Sequence, residues 1–112
     1  MVKPISPLSQ PIPSEPQITS ADLIALWLRQ QGSEHTRRAY ERDIHRLFRF
    51  AAKPLDQLTA LDLARFADHL LGSGLAPISR ARTLTAVRSL LRFGYRSGVL
   101  AIDIADKVQL PR

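Results

Sequence analysis

Apolar residues in this chain recur at three- and four-residue spacing in four blocks, the period of an α-helix with one buried face. The first block is Leu23, Ile24, Trp27 and Leu28. Thr19 or Ser20 can cap it, Asp22 complements the helix dipole in its first turn, and Gln31-Gly32 supplies a glycine able to close it in the left-handed conformation. Ser33 caps a second, longer helix predicted over residues 34–53, with Thr36, Tyr40, Ile44, Leu47, Phe48, Phe50 and Ala51 on its apolar side. Pro54 stops it, and residues 55–58 form a connector. Thr59 and Asp62 then make an approximate capping box for a third helix, whose apolar positions are Leu61, Leu63, Phe66, Leu70 and Leu71.

Gly72-Ser73-Gly74 is a turn that offers a positive φ twice, and Ala76-Pro77 opens the fourth helix with proline where a missing N–H costs nothing. In that helix Leu84, Val87, Leu90, Leu91 and Tyr95 share one arc, and Gly98 ends it. Residues 101–108 hold enough apolar side chains for one or two further turns, and Leu110-Pro111-Arg112 is extended. No Val/Ile/Thr run alternates with period two, so the fold class is all-α.

The polar faces differ in kind. The third helix carries a balanced set, Asp62, Arg65, Asp68 and His69, as a solvated face does. The second carries Arg38, Arg42, Arg46, Arg49 and Lys53 opposite its apolar side, with Glu41 and Asp43 off that arc but within reach of long arginines. The fourth carries Arg82, Thr85, Arg88, Ser89, Arg92 and Arg96, and no carboxylate occurs between Asp68 and Asp103. Arg88, Arg92 and Arg96 repeat at i,i+4, where like charges repel by a few tenths of a kcal/mol. The sequence therefore predicts an unpaired arginine stripe whose negative charge comes from a partner. Exposed arginines facing only solvent are the plain alternative on the second helix.

Composition sharpens this. A chain of 112 residues makes one domain, with a formal net charge of +6 and a pI near 10.8. Lys3 and Glu15 cancel, so the excess lies on residues 19–112. Nucleic acid is the leading partner class for such a domain. Residues 1–18 hold five of the eight prolines and are read as a disordered proline-rich arm, with no basic cluster to reach a groove. With no cysteine, no apolar signal core and no membrane-length apolar run, a reducing cytoplasm is the expected setting and a membrane partner is not expected.

Catalytic chemistry is not visible. His35, His45 and His69 lack metal-ligand spacing, no glycine-rich phosphate loop occurs, and no serine sits in a nucleophile elbow. No metal, cofactor or small-molecule substrate is expected. The hydroxyls of Ser33, Thr36, Ser79, Thr83, Thr85 and Ser89 suit phosphate contacts beside the arginines. Thr36 falls on the apolar side, yet near a helix start where backbone amides also face outward.

Three segments resemble one family. Residues 33–44, SEHTRRAYERDI, are similar to the opening signature of the core-binding domain of tyrosine recombinases, the phage integrase and Xer-like group. Residues 54–62, PLDQLTALD, resemble its inter-helix segment, and residues 74–91, GLAPISRARTLTAVRSLL, its fourth helix. The resemblance implies a four- to five-helix orthogonal bundle, the SAM-like integrase N-terminal domain, over residues 19–108. It implies half of a C-shaped clamp on double-stranded DNA, built by the second and fourth helices, with other recombinase protomers as partners on the DNA. By position, Thr36 and Arg37 correspond to phosphate contacts, and Ser79, Arg80, Arg82, Thr85 and Arg88 to the DNA-facing set of the fourth helix. Arg38, Arg42 and Arg92 join them from the basic arcs.

Family catalysis uses an arginine–histidine–arginine set and a tyrosine nucleophile in a following domain. Residues 109–112 resemble the start of the linker to it, and Tyr40 and Tyr95 lie on apolar arcs, so this chain by itself is not expected to be an enzyme. Two other readings remain: a helical protein–protein adaptor using the basic faces, and a helix-turn-helix regulator, for which Gln31-Gly32-Ser33 is a barely sufficient turn.

Overall fold

The computed structural model describes residues 18–108; the proline-rich stretch through residue 17 and the Leu110-Pro111-Arg112 exit lie outside them. Four α-helices follow in order, α1 (Ser20–Arg29), α2 (Glu34–Ala51), α3 (Ala60–Leu71) and α4 (Pro77–Arg96). Single 3-10 turns at Leu55–Gln57 and Ala105–Lys107 complete the fold, and the described residues contain no strand.

Local chemistry fixes the helix starts. Thr19 and Thr59 each accept a bond from the amide three residues on, and Asp22 and Asp62 reciprocate on the cap amides. Both are complete capping boxes, satisfying two orphan donors at once. Ser33 caps α2 through the Thr36 amide at 3.1 Å, while α4 starts on Ala76 with proline in its first turn and no side-chain cap. The ends depart from expectation in two places. Gly32 does not close α1, because the cap is Gln30 in a right-handed conformation. In addition, α2 stops at Ala51 rather than Lys53: Ala52 takes the left-handed conformation, φ 54°, and Pro54 disfavours helical geometry at Lys53. In the α3–α4 turn only Gly74 has a positive φ, 86°.

The core lies between α4 and the other three helices. Leu84, Val87, Leu90 and Leu91 of α4 are buried against Leu23 and Trp27, Ile44 and Leu47, and Leu63, Phe66 and Leu70. Each such side chain contributes about 1.5–3 kcal/mol on burial. Leu61, Leu71, Phe50 and Tyr95, assigned to apolar faces from the sequence, are instead exposed by a third or more. On α3 the reason is angular, since Leu63, Phe66 and Leu70 define the buried stripe and Leu61 falls on nearly the opposite side.

Three contacts set how the helices cross. Trp27 stacks on Tyr40 with ring centroids 5.3 Å apart and donates from Nε1 to Ser89 Oγ at 2.9 Å, joining α1, α2 and α4. Gly94 lets the chain pass close, because a Cβ there would meet Leu100 Cδ1 at 2.8 Å and Leu23 Cδ2 at 3.1 Å. Its carbonyl accepts from the amides of Val99 and Leu100 at 3.0 Å each, and Gly98 turns the chain between them with φ 81°. The Ala105–Lys107 turn then folds back on α4, with Ala105 and Val108 buried.

Candidate nucleic-acid interface

A single buried carboxylate organises the seam between α2 and α4. Asp43 is fully buried and accepts from Arg82 Nε at 2.8 Å and Arg82 Nη2 at 2.9 Å, a bidentate pair. Thr83 Oγ1 lies 2.9 Å from both Asp43 Oδ1 and the Ser79 carbonyl, so its one proton is shared between two acceptors. Arg46 approaches the same Oδ1 at 3.4 Å. A carboxylate out of water is tolerable only with its lone pairs filled, and Arg82 and Thr83 supply that. The bonds that Arg82 donates to Asp43 raise the Arg82 pKa above the ordinary guanidinium value.

Two more arginines of the α4 stripe, Arg88 and Arg92, also receive negative charge from within the chain. Arg92 Nη2 donates to Asp106 Oδ1 at 2.6 Å, with Asp103 4.0 Å from its Nε, and Arg88 Nη2 reaches Asp106 at 3.5 Å. The expectation of an unpaired stripe is therefore corrected for Arg82, Arg88 and Arg92, while Arg96 has no ion pair among the described residues. The stripe's carboxylates come from α2 and from the turn after α4, far along the chain but near in space. Arg88 retains a buried Nε with no partner among the described residues.

The other sequence-selected residues separate into distinct places. At the start of α2, Thr36 is half-buried against Ser33, Arg37 donates to the Gln31 carbonyl at 3.3 Å, and Arg38 is exposed and paired with Glu34. At the start of α4, Ser79 is half-buried and Arg80 donates to the Leu75 carbonyl at 3.0 Å. Thr85, Arg88 and Arg92 line a groove between α1 and α4 together with Trp27, Gln30, Ser89 and Arg96. Arg42 lines a second groove, between α2 and α3, that shares no residue with the first. The ten residues thus form a seam, two helix starts and two grooves rather than one cluster.

Two of the expected hydroxyl donors are committed inside the fold, Thr83 to the Asp43 seam and Ser89 to Trp27. Conversely, the grooves also hold residues outside the ten contacts expected from the sequence: Gln30, Gln31 and Arg96 beside α4, and His45, Arg46, Arg49 and His69 beside α2. The arginines were legible, since they share the basic arcs of Arg42 and Arg88. The glutamines and His69 join only through tertiary packing. Among the described residues no His/Cys/Asp/Glu group could hold a metal, and no helix is long and apolar enough to cross a membrane.

The molecule is thus an all-α bundle whose second and fourth helices carry most of the arginines. Residues 23–98 match the family model described as phage integrase, N-terminal SAM-like domain, and the chain belongs to that family, the N-terminal domain of tyrosine recombinases. It is 39% identical over 83 residues to tyrosine recombinase XerC of Mycobacterium bovis (strain BCG / Pasteur 1173P2), covering 71% of this chain and 28% of that protein. Tyrosine recombinase XerC of Mycobacterium leprae is 37% identical over 90 residues, covering 78% of this chain and 30% of its own length. The chain thus spans under a third of the recombinases it matches. The crystal structure of the N-terminal domain of a phage integrase/site-specific recombinase from Haloarcula marismortui superposes with a TM-score of 0.75 over 87% of this chain and all of that one; at 15% identity it attests the fold alone.

Proposed function

We propose that this domain is the DNA-binding module of a site-specific tyrosine recombinase, engaging double-stranded DNA through α2 and α4 alongside other protomers during DNA integration or recombination. One observation carries the reading: the two arginine-bearing helices pack directly on each other through the Asp43–Arg82 pair, so their outward guanidiniums belong to one rigid unit. Arg42, Arg49 and Arg96 have no ion-pair partner among the described residues. Arg88 and Arg92 are held only by surface carboxylates, and an exposed pair worth about 0–1 kcal/mol yields readily to a phosphate. Arg82 holds the seam, while Arg42, Thr85, Arg88 and Arg92 make the outer contacts, with Thr36, Arg37, Arg38, Ser79 and Arg80 flanking them at the two helix starts. Strand cleavage and rejoining belong in this reading to a catalytic domain of the recombinase, and the setting is the cytoplasm of a bacterial- or phage-type host.

The test is fluorescence anisotropy of a labelled random duplex titrated with the chain at several salt concentrations. The expected result is weak binding, with Kd about 10⁻⁴–10⁻⁶ M and a log Kd that rises with log salt by about 0.9 per phosphate neutralised. Absence of binding at low salt would overturn the reading and favour the adaptor, for which exposed Leu71 and Ile78 offer an apolar contact.

A further inference from the structure

The groove between α2 and α3 has a composition that duplex binding does not explain. Arg42, His45, Arg46 and Arg49 rise along α2 at i, i+3, i+4 and i+7, forming one wall. Phe50 and His69 complete the lining of a groove of about 680 Å³, and no carboxylate lines it. The Phe50 and His69 rings lie 4.7 Å apart at 32°, and Phe50 in turn rests 5.6 Å from the buried ring of Phe66. The result is a run of three rings anchored in the core, with its outer members exposed beside a guanidinium wall.

We propose that this groove seats single-stranded nucleic acid, with His69 and Phe50 as a stacking platform and Arg42, Arg46 and Arg49 as the phosphate rail. A duplex shows such a surface only its backbone and base edges, because its base faces are already stacked, so it would leave the rings idle. An unpaired base has a free π-face, and a basic groove floored by aromatic rings is how single strands are held without regard to sequence. Guanidinium planes add to the stacking through cation–π contact. The seat shares no residue with the α1–α4 groove and only Arg42 with the duplex contacts proposed above, so the α4 contacts stay open to a duplex while the seat holds an unpaired strand. The inference shares nucleic acid as partner class with the function proposed above, but it does not depend on the α4 contacts.

The experiment compares a labelled oligothymidine with a labelled hairpin duplex of equal phosphate number, both titrated with the whole chain. His69→Ala and Phe50→Leu remove stacking with no change of arginine charge, and Arg49→Gln removes one rail cation. The first two are expected to weaken oligothymidine binding by about 5- to 150-fold each, the range for one lost base stack, while hairpin binding stays unchanged. Arg88→Gln should do the reverse. Thermal melts guard against unfolding of Phe50→Leu, and the exposed His69 provides an independent arm. Equal losses on both ligands, or no loss from either stacking variant, would overturn the inference. Oligothymidine binding that survives where the hairpin never binds would uphold this seat and remove the duplex reading instead.

Discussion

Arg82 and Arg92 share a helix, a residue type and the same polar arc, yet the fold uses them in opposite ways. Arg82 is bonded through both forks to a carboxylate with no exposure, and Thr83 completes the same cluster. Arg92 reaches Asp106, whose side chain is 74% exposed, on a turn at the surface. The Coulombic partner is similar and the dielectric is not. The two arginine side chains are similarly exposed, 38% and 31%, so the carboxylates make the difference: one sealed from water resists loss of its cation strongly, whereas one in water contributes little and exchanges easily. The first suits a fixed crossing of two helices. The second suits a cation that is to be handed to another anion.

The largest effect expected from this difference follows from Arg82→Met. It leaves the Asp43 carboxylate buried with only Thr83 and a long contact to Arg46, and should lower stability by about 3–5 kcal/mol. Urea denaturation would show it, and a loss below 1 kcal/mol would mean that the seam is soft. The sharper check is the pair Asp43→Leu and Arg82→Met made together. Replacing a buried ion pair by apolar groups is often near neutral, so the double variant should recover most of the loss.

Arg88→Ala and Arg92→Ala should break the comparison the other way. Each removes only surface pairs, so stability should shift by about 1 kcal/mol or less. Duplex affinity should nevertheless fall for every sequence, with the salt slope reduced by about one unit per arginine. A variant that lost stability rather than salt dependence would place its arginine with Arg82.

Between these extremes lies Asp62 of the α3 capping box. Its carboxylate receives Lys53 Nζ at 2.9 Å and the Thr59 amide at 2.9 Å, and the Lys53 bond first, then the Thr59 bonds, hold its pKa below the ordinary value. A carboxyl with a lowered folded pKa stabilises the fold fully above its unfolded pKa, about 3.9, and loses that contribution as pH falls through the folded value. Stability should therefore decline below about pH 4, and Asp62→Asn should flatten that part of the stability–pH curve. An unchanged curve would mean that the pair does not persist in solution.

The helices were legible because their signals are local. Thr19, Ser33 and Thr59 cap where hydroxyls followed by acidic residues foretold it, and the buried stripe of α4 was visible as Leu84, Val87, Leu90 and Leu91. The family was legible for a related reason, since residues 33–44, 54–62 and 74–91 all fall within the matched span. The arginine pairing was not legible. Asp43 and Arg82 are 39 positions apart, and Asp106 follows Arg92 by 14, so no periodicity on one helix could join them. Asp43 in particular reads as one more charged residue on an amphipathic helix, and only the arrival of α4 makes it a core residue. The groove residues His69 and Gln30 were hidden likewise, because neither belongs to a basic arc of its own helix.

The smallest expected effect tests whether Asp106 competes with DNA. Its carboxylate sits on Arg92 and near Arg88, where a phosphate would sit in the proposed complex, so Asp106→Asn should strengthen duplex binding by up to about fivefold, the worth of an exposed pair. Net charge alone would also raise affinity, and Asp56→Asn controls for it: Asp56 is exposed on the Leu55–Gln57 turn and makes no ion pair among the described residues. Both variants add the same charge, but only Asp106→Asn uncovers guanidiniums. A gain confined to Asp106→Asn, shrinking at high salt and abolished by adding Arg92→Ala, would show that α4 holds its cations in reserve. Equal gains from the two variants would reduce Asp106 to a bystander, and Arg92 would then need a reason of its own to face DNA.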